Sequence, residues 1–226
     1  MNFVETIDDR VKIQRVLVSV YDKGGLDTFI PALLRINPRI LLYSTGGTYR
    51  AISDILGEAK ADRLVAVSEY TGQPEMQGGL VKTLDFKIYL GLLSETYNPA
   101  HRRDLERTGA AAIDMVVANL YPFQSTVARE GVTPERARAN IDIGGPCMIR
   151  AAAKNYLRVA SVVDPGDYAQ IISEAQAAGG CLSLATRFRL AQKTFAYTSG
   201  YDTAIAAYLK SCKPEQVRGS YSEVLS

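Results

Sequence analysis

Short, continuous apolar runs alternate with helical patterns along this chain, and that alternation narrows the available folds more than any other feature. The runs span residues 15–20 (RVLVSV), 40–43, 64–67, 88–93, 115–118 and 159–163. A strand with one wet face alternates apolar and polar residues. Unbroken apolar runs therefore imply strands buried on both faces, and the helices between them imply parallel pairing. The spacing predicts helices over 25–36, 48–56 and 165–178; in the last, Asp164 can cap and Pro165 suits the first helical position. Residues 184–210 read as helix throughout, with an interruption near Gly200. The expected fold class is α/β: a twisted, mostly parallel sheet with helices on both faces, followed by a helical C-terminal extension.

With 226 residues, 47% hydrophobic and 22% charged, the chain can bury a substantial core without disulfides. A formal net charge of +2 argues against overall polyanion binding, so neither nucleic acid nor a membrane surface is an expected partner. The three cysteines, Cys147, Cys181 and Cys212, lack CxxC spacing, and reduced thiols in a cytoplasmic setting are the reading. His101 is the sole histidine, which disfavours zinc chemistry and histidine triads. Proton work is left to lysine, aspartate and tyrosine. The expected organisation is an N-terminal extension (1–14), one domain with C-terminal helices (15–212) and a polar, mobile tail (213–226).

In open parallel sheets ligands bind beyond the carboxyl ends of the strands. The first strand runs into Ser19, Tyr21 and Lys23, the second into Ser44-Thr45-Gly46-Gly47-Thr48, and the strand at 115–118 into Asn119 and Tyr121. The Gly46–Gly47 turn, flanked by hydroxyls and followed by a helix, suits a phosphate through free amides and the helix dipole. It reads equally as an ordinary βα turn capped by Thr45 or Thr48. The segment 140–155 (NIDIGGPCMIRAAAKN) is a turn into a helix. On spacing alone, Asp142 is a capping residue there, and Arg150 and Lys154 are two solvent-facing cations on one helix face. Residues 80–85 read as a hairpin or edge strand carrying Lys82, and Tyr121 as a core tyrosine. These readings reach a phosphate-accepting sheet edge and name no reaction.

The strings VSVYDKGGL, STGGTYRAI, VSEYTGQPEMQGGLVKTL, NLYPFQSTVAREGVT, NIDIGGPCMIRAAAKN, VVDPGDY and RLAQKTFAYTSGYDTAIAAYL, in this order, carry more. Across residues 15–208 the chain resembles the inosine monophosphate (IMP) cyclohydrolase domain of the bifunctional purine-biosynthesis enzyme. The resemblance implies a methylglyoxal-synthase-like fold, a homodimer, and a hydrolase acting on cyclic amidines. It also implies a cyclohydrolase free-standing from the formyltransferase domain, which a separate protein would then supply. The implied reaction closes 5-formamidoimidazole-4-carboxamide ribotide to inosine monophosphate with loss of water, and needs no cofactor or metal.

By the same resemblance Lys154 is the proton donor and acceptor, and Asp142, Tyr121 and Lys82 line the reacting groups. Lys23, Thr45, Gly46, Gly47, Thr48 and Thr83 match nucleotide contacts, with Ser19, Tyr21, Asn119, Ile143 and Gly144 nearby. A free lysine pKa of about 10.4 is high for a base at neutral pH. Lys154 is thus either depressed by burial and a neighbouring cation such as Arg150, or protonated and stabilising an oxyanion. The chain departs from the family stretch Arg-Val-Lys-Thr-Leu-His-Pro-Lys-Ile-His: Leu80 replaces the arginine, and Asp85 and Tyr89 replace the histidines. Tyr21 stands where the family has serine. The alternative reading is a non-catalytic purine-ribotide-binding relative, a regulator or a partner of a separate formyltransferase.

Overall fold

Val16, Leu17 and Val18 are consecutive and all fully buried, as in a strand covered on both faces. In the computed structural model, which describes residues 3–60, 62–74, 76–79 and 81–222, they belong to a central strand. A short strand β1 (Arg10–Lys12) precedes this strand, β2 (Arg15–Val20). Then come α1 (Leu26–Ile36), β3 (Leu41–Ser44), α2 (Gly46–Leu56), β4 (Leu64–Ala66), α3 (Val67–Thr71), α4 (Phe86–Leu93) and α5 (Pro99–Thr108). The second half runs β5 (Met115–Asn119), α6 (Phe123–Val127), α7 (Pro134–Ala139), α8 (Gly144–Lys154), β6 (Ala160–Val162), α9 (Tyr168–Ala177) and β7 (Cys181–Ser183). It closes with α10 (Leu184–Ser211) and α11 (Pro214–Arg218).

Five strands form one parallel sheet in the order β4-β3-β2-β5-β6, while β1 pairs antiparallel with β7. The chain builds outward from β2 through β3 to β4, then returns to the other side of β2 for β5. That reversal makes the carboxyl end of β2 a topological switch point, where a crevice opens. The register fixes what lines it: Val18 faces Ser44, Ser19 faces Ala118 and Val20 faces Asn119. On one face Val16, Val18 and Val20 pack with Phe29, Ile30 and Leu33 of α1, Ile52 of α2 and Ile171 of α9. On the other, Leu17, Val116 and Ala118 meet Ile88 and Leu92 of α4, Met148, Ile149 and Ala152 of α8, and Tyr201 of α10.

Four sequence expectations are corrected. Residues 88–93 are helical, within α4. The Asp85 carboxylate caps that helix by accepting the Lys87 N–H at 2.8 Å, and Ile88, Gly91 and Leu92 turn inward at helical spacing. A Cβ on Gly91 would run into the Ala111 carbonyl. Second, the stretch after Gly79 forms no hairpin: residues 81–83 are turns leading into that helix, and Leu80 lies outside the described residues. Third, α10 passes through Gly200 unbroken over its 28 residues, because its tertiary contacts outweigh one exposed glycine. Last, the described part of the tail carries α11, and the Tyr221 hydroxyl is hydrogen-bonded to Glu135 of α7.

Two buried arginines fasten the amino edge of the sheet. Arg187 of α10 is fully buried and donates to the carbonyls of Asp8, Asp9, Tyr156, Leu157 and Leu182. Arg158 donates to the carbonyls of Gly91, Ser94 and Ile113 and pairs with Asp114 at 3.4 Å. No helix among the described residues is long and apolar enough to cross a membrane.

Candidate active site

Three turns meet at the switch point, and side chains lock them together. Asn119 Oδ1 accepts the N–H groups of Tyr21 at 2.7 Å and Asp22 at 2.9 Å, while its Nδ2 donates to the Asp22 carbonyl at 2.9 Å. The turn after β2 is thereby fixed to the end of β5. Thr48 Oγ1 donates to the Val20 carbonyl at 2.9 Å and accepts the Val20 N–H at 3.1 Å, which fastens α2 to β2. Thr48 is thus occupied by the scaffold. Thr45, at the N-cap of α2, makes no side-chain capping bond; its Oγ1 lies 3.3 Å from Ser19 Oγ. The positive end of α2 is left without a side-chain cap, as an anion site requires.

Gly46 adopts a positive φ of 47°, and Lys82 Nζ lies 3.0 Å from where its Cβ would stand. Any larger residue there would strain the backbone and push the lysine away. Lys23 approaches Gly47, its Cε 4.0 Å from the corresponding position, and its Nζ donates to the Tyr21 carbonyl at 3.2 Å. Two cations therefore stand beside the glycine pair. A recess of about 160 Å³ opens beside them, lined by Ser44, Thr45, Arg50, Ser68 and Lys82 among others.

The start of α8 closes the groove. Thr83, buried, brings its Oγ1 within 2.7 Å of where a Gly144 Cβ would be, so a larger residue there would have to displace the threonine hydroxyl. Asp142 accepts the Gly145 N–H at 2.9 Å and a backbone N–H of Tyr121. Burial nonetheless pushes its carboxyl above the ordinary aspartate range, the two N–H groups opposing that rise. Ile143 beside it is exposed. Behind the groove, α10 supplies two residues that the sequence reading did not single out. Tyr197 Oη accepts the Leu120 N–H at 3.0 Å, and Tyr201 Oη accepts the Asp142 N–H at 2.8 Å. Their i,i+4 spacing within FAYTSGY was the available signal, since it places both on one helix face.

Tyr121 is not a core residue: its ring is exposed and meets Tyr21 edge-to-face at 5.4 Å. Asp85 is buried, caps α4 and accepts Gln73 Nε2 at 2.7 Å. The Tyr89 hydroxyl is buried without a hydrogen-bond partner, and burial pushes its pKa up to about 12. Lys154 stands apart. It is exposed and ends α8, ten residues beyond Gly144, or about 15 Å along the axis. The adjoining Asn155 donates to the carbonyls of Leu92 and Ser94, far from the carboxyl edge. Arg150 is also exposed, with its guanidinium 5.4 Å from the Phe195 ring centroid. Within one chain the structure thus brings together Ser19, Tyr21, Lys23, Thr45–Thr48, Lys82, Thr83, Asn119, Tyr121 and Asp142–Gly144, and leaves Lys154 outside.

The model of the MGS-like domain family matches residues 28–147, and that of the AICARFT/IMPCHase bienzyme family matches residues 152–225. The bifunctional purine biosynthesis protein PurH of Ruminiclostridium cellulolyticum is 46% identical over 198 residues, covering 88% of this chain and 37% of the relative. PurH of Acidithiobacillus ferrooxidans is 44% identical over 215 residues, covering 95% of this chain and 40% of the relative. The chain therefore spans about two fifths of the length of these curated relatives. Among solved structures, the crystal structure of ForH superposes with a TM-score of 0.70 at 29% identity, covering 86% of this chain and 97% of that one.

Proposed function

Because this chain belongs to the MGS-like domain family, and its relatives are purine-biosynthesis proteins, we propose that it is an IMP cyclohydrolase. The reaction closes 5-formamidoimidazole-4-carboxamide ribotide to inosine monophosphate. One observation carries the reading: Lys23 and Lys82 stand beside the uncapped start of α2, and Thr83, next to Lys82 in the chain, meets Gly144 beside the Asp142 carboxylate.

The ribotide phosphate sits on the amides of Gly46 and Gly47 with Lys23, which leaves the heterocycle over Tyr121, Thr83 and Asp142. The carboxamide nitrogen attacks the formyl carbon of the same molecule and a C–N bond forms. The nitrogen loses one proton to the Asp142 carboxylate, and the former formyl oxygen takes up a proton to give a carbinolamine. The C–O bond then breaks as a C=N bond forms to the former formamido nitrogen, whose proton leaves with the hydroxyl as water. Lys82 stabilises the oxyanion before it is protonated. Holding the two substituents in a productive conformer lowers the barrier by up to ~7–11 kcal/mol, and a positioned proton carrier adds ~10²–10⁴ in rate.

Incubation of the purified protein with the formamido ribotide, followed by absorbance, tests the proposal. Turnover to inosine monophosphate is expected, with Lys82→Gln and Asp142→Asn each slowing it by about 10² or more. Ribotide binding without turnover would instead select the non-catalytic purine-ribotide-binding relative.

A further inference from the structure

Tyr21 and Tyr121 rise from two different turns and are 52% and 49% exposed, side by side at the switch point. Their ring planes stand at 72°, with centroids 5.4 Å apart. Half-exposed aromatic rings are ordinarily free to sweep, yet both of these are set on anchored backbone. The Tyr21 N–H is held by Asn119, the Tyr121 carbonyl accepts the Phe123 N–H at 2.8 Å, and a Tyr121 N–H serves Asp142. An edge-to-face pair leaves ring faces open and forms a corner. A flat ligand stacked on one ring points its rim at the face of the other. On the Tyr21 side of the pair an open cleft of about 720 Å³ is lined by Tyr21, Lys23, Asn119 and Tyr197.

We propose that Tyr21 is a specificity-determining residue, which with Tyr121 forms an aromatic corner that stacks the planar base of the ribotide and so selects base-bearing nucleotides over bare sugar phosphates. The inference rests on the ribotide reading above and goes beyond it in assigning the base contact to the Tyr21 side chain. Lys23, two residues on, sets the reach: the turn that presents the ring also presents a phosphate cation. Charge alone on the recess side does not distinguish a nucleotide from ribose 5-phosphate, whereas an open aromatic face does. Stacking on aromatic side chains is tolerant of base identity, so the corner recognises a flat heterocycle as a class.

Calorimetric titration of inosine monophosphate and of ribose 5-phosphate into the wild type, Tyr21→Ser and Tyr21→Phe tests this, with thermal melts confirming that each variant is folded. Tyr21→Ser is expected to weaken inosine monophosphate about tenfold, while ribose 5-phosphate binds nearly unchanged. Tyr21→Phe should keep nucleotide affinity, since the ring and not the hydroxyl makes the contact. Equal weakening of both ligands, no weakening of either, or a Phe variant as impaired as Ser would each overturn the corner. A wild type that binds neither ligand overturns the corner together with the ribotide reading. The two otherwise fail separately: absent turnover with the Tyr21 dependence intact removes only the cyclohydrolase, and normal turnover with indifference to Tyr21 removes only the corner.

Discussion

Asp142 shows how a single position can carry both a scaffold and a chemical role. Its carboxylate accepts the Gly145 N–H as a capping residue would, and from spacing alone that was its whole reading. The neighbours added by folding are what change it: burial raises its pKa despite two N–H donors. A carboxyl with a raised pKa ionises later as pH rises, so a base of this kind becomes active only above the ordinary aspartate value of about 3.9. The acid limb of kcat/KM against pH is expected to have its midpoint above that value. A limb at or below it would remove Asp142 as the titrating base. Lys82 was legible as a lysine after a glycine pair, but its partner was not. Gly46, at positive φ, leaves the space that Lys82 occupies over the α2 turn, and a backbone angle leaves little trace in a sequence containing 18 glycines.

Elements were legible where packing dictates residue type. β2, β3, β5 and β6 are buried on both faces and read as apolar runs, so the sheet could be recognised as parallel. α4 could not be told from a strand, because eight residues with one charge fit either period. The distinction lies in Asp85, which caps the helix, and in Gly91, which lets it approach Ala111. Arg187 was invisible for a different reason: its acceptors are carbonyls on segments as far as 179 residues away. Arg187→Ala would leave five carbonyls without their donor and is expected to cost about 3–5 kcal/mol. This would be read as a lower urea midpoint at unchanged slope. Arg187→Lys should recover little, since a lysine has three donors on one atom and cannot reproduce the guanidinium fork. A variant within about 0.5 kcal/mol of wild type would show that water or relaxation replaces the arginine.

At the scale of the whole molecule the sheet separates two jobs. The carboxyl edge holds the groove, and the amino edge holds the two arginines and Lys154. The resemblance gives Lys154 a proton role, yet it ends α8 about 15 Å along the axis from Gly144, the end that meets Thr83. The arrangement compatible with that role is a second copy of the chain that supplies the lysine across an interface. Lys154→Ala and Lys82→Ala are then each expected to be inactive alone. Mixing them under subunit exchange should restore about a quarter of wild-type turnover, because half the dimers are mixed and each carries one intact site. Full activity of Lys154→Ala would leave the proton work with Asp142 and Lys82 within one chain, as in the reaction proposed above. The arginine anchors of the amino edge bear on how such a sequence can change over generations. Every residue offers a carbonyl, so the side chains of Asp8, Asp9, Tyr156, Leu157 and Leu182 can be exchanged without removing what Arg187 grips. Mutational tolerance should therefore be broad around each anchor and narrow at the anchor itself. That leaves the opposite edge free to explore new ligands on a frame that does not depend on it.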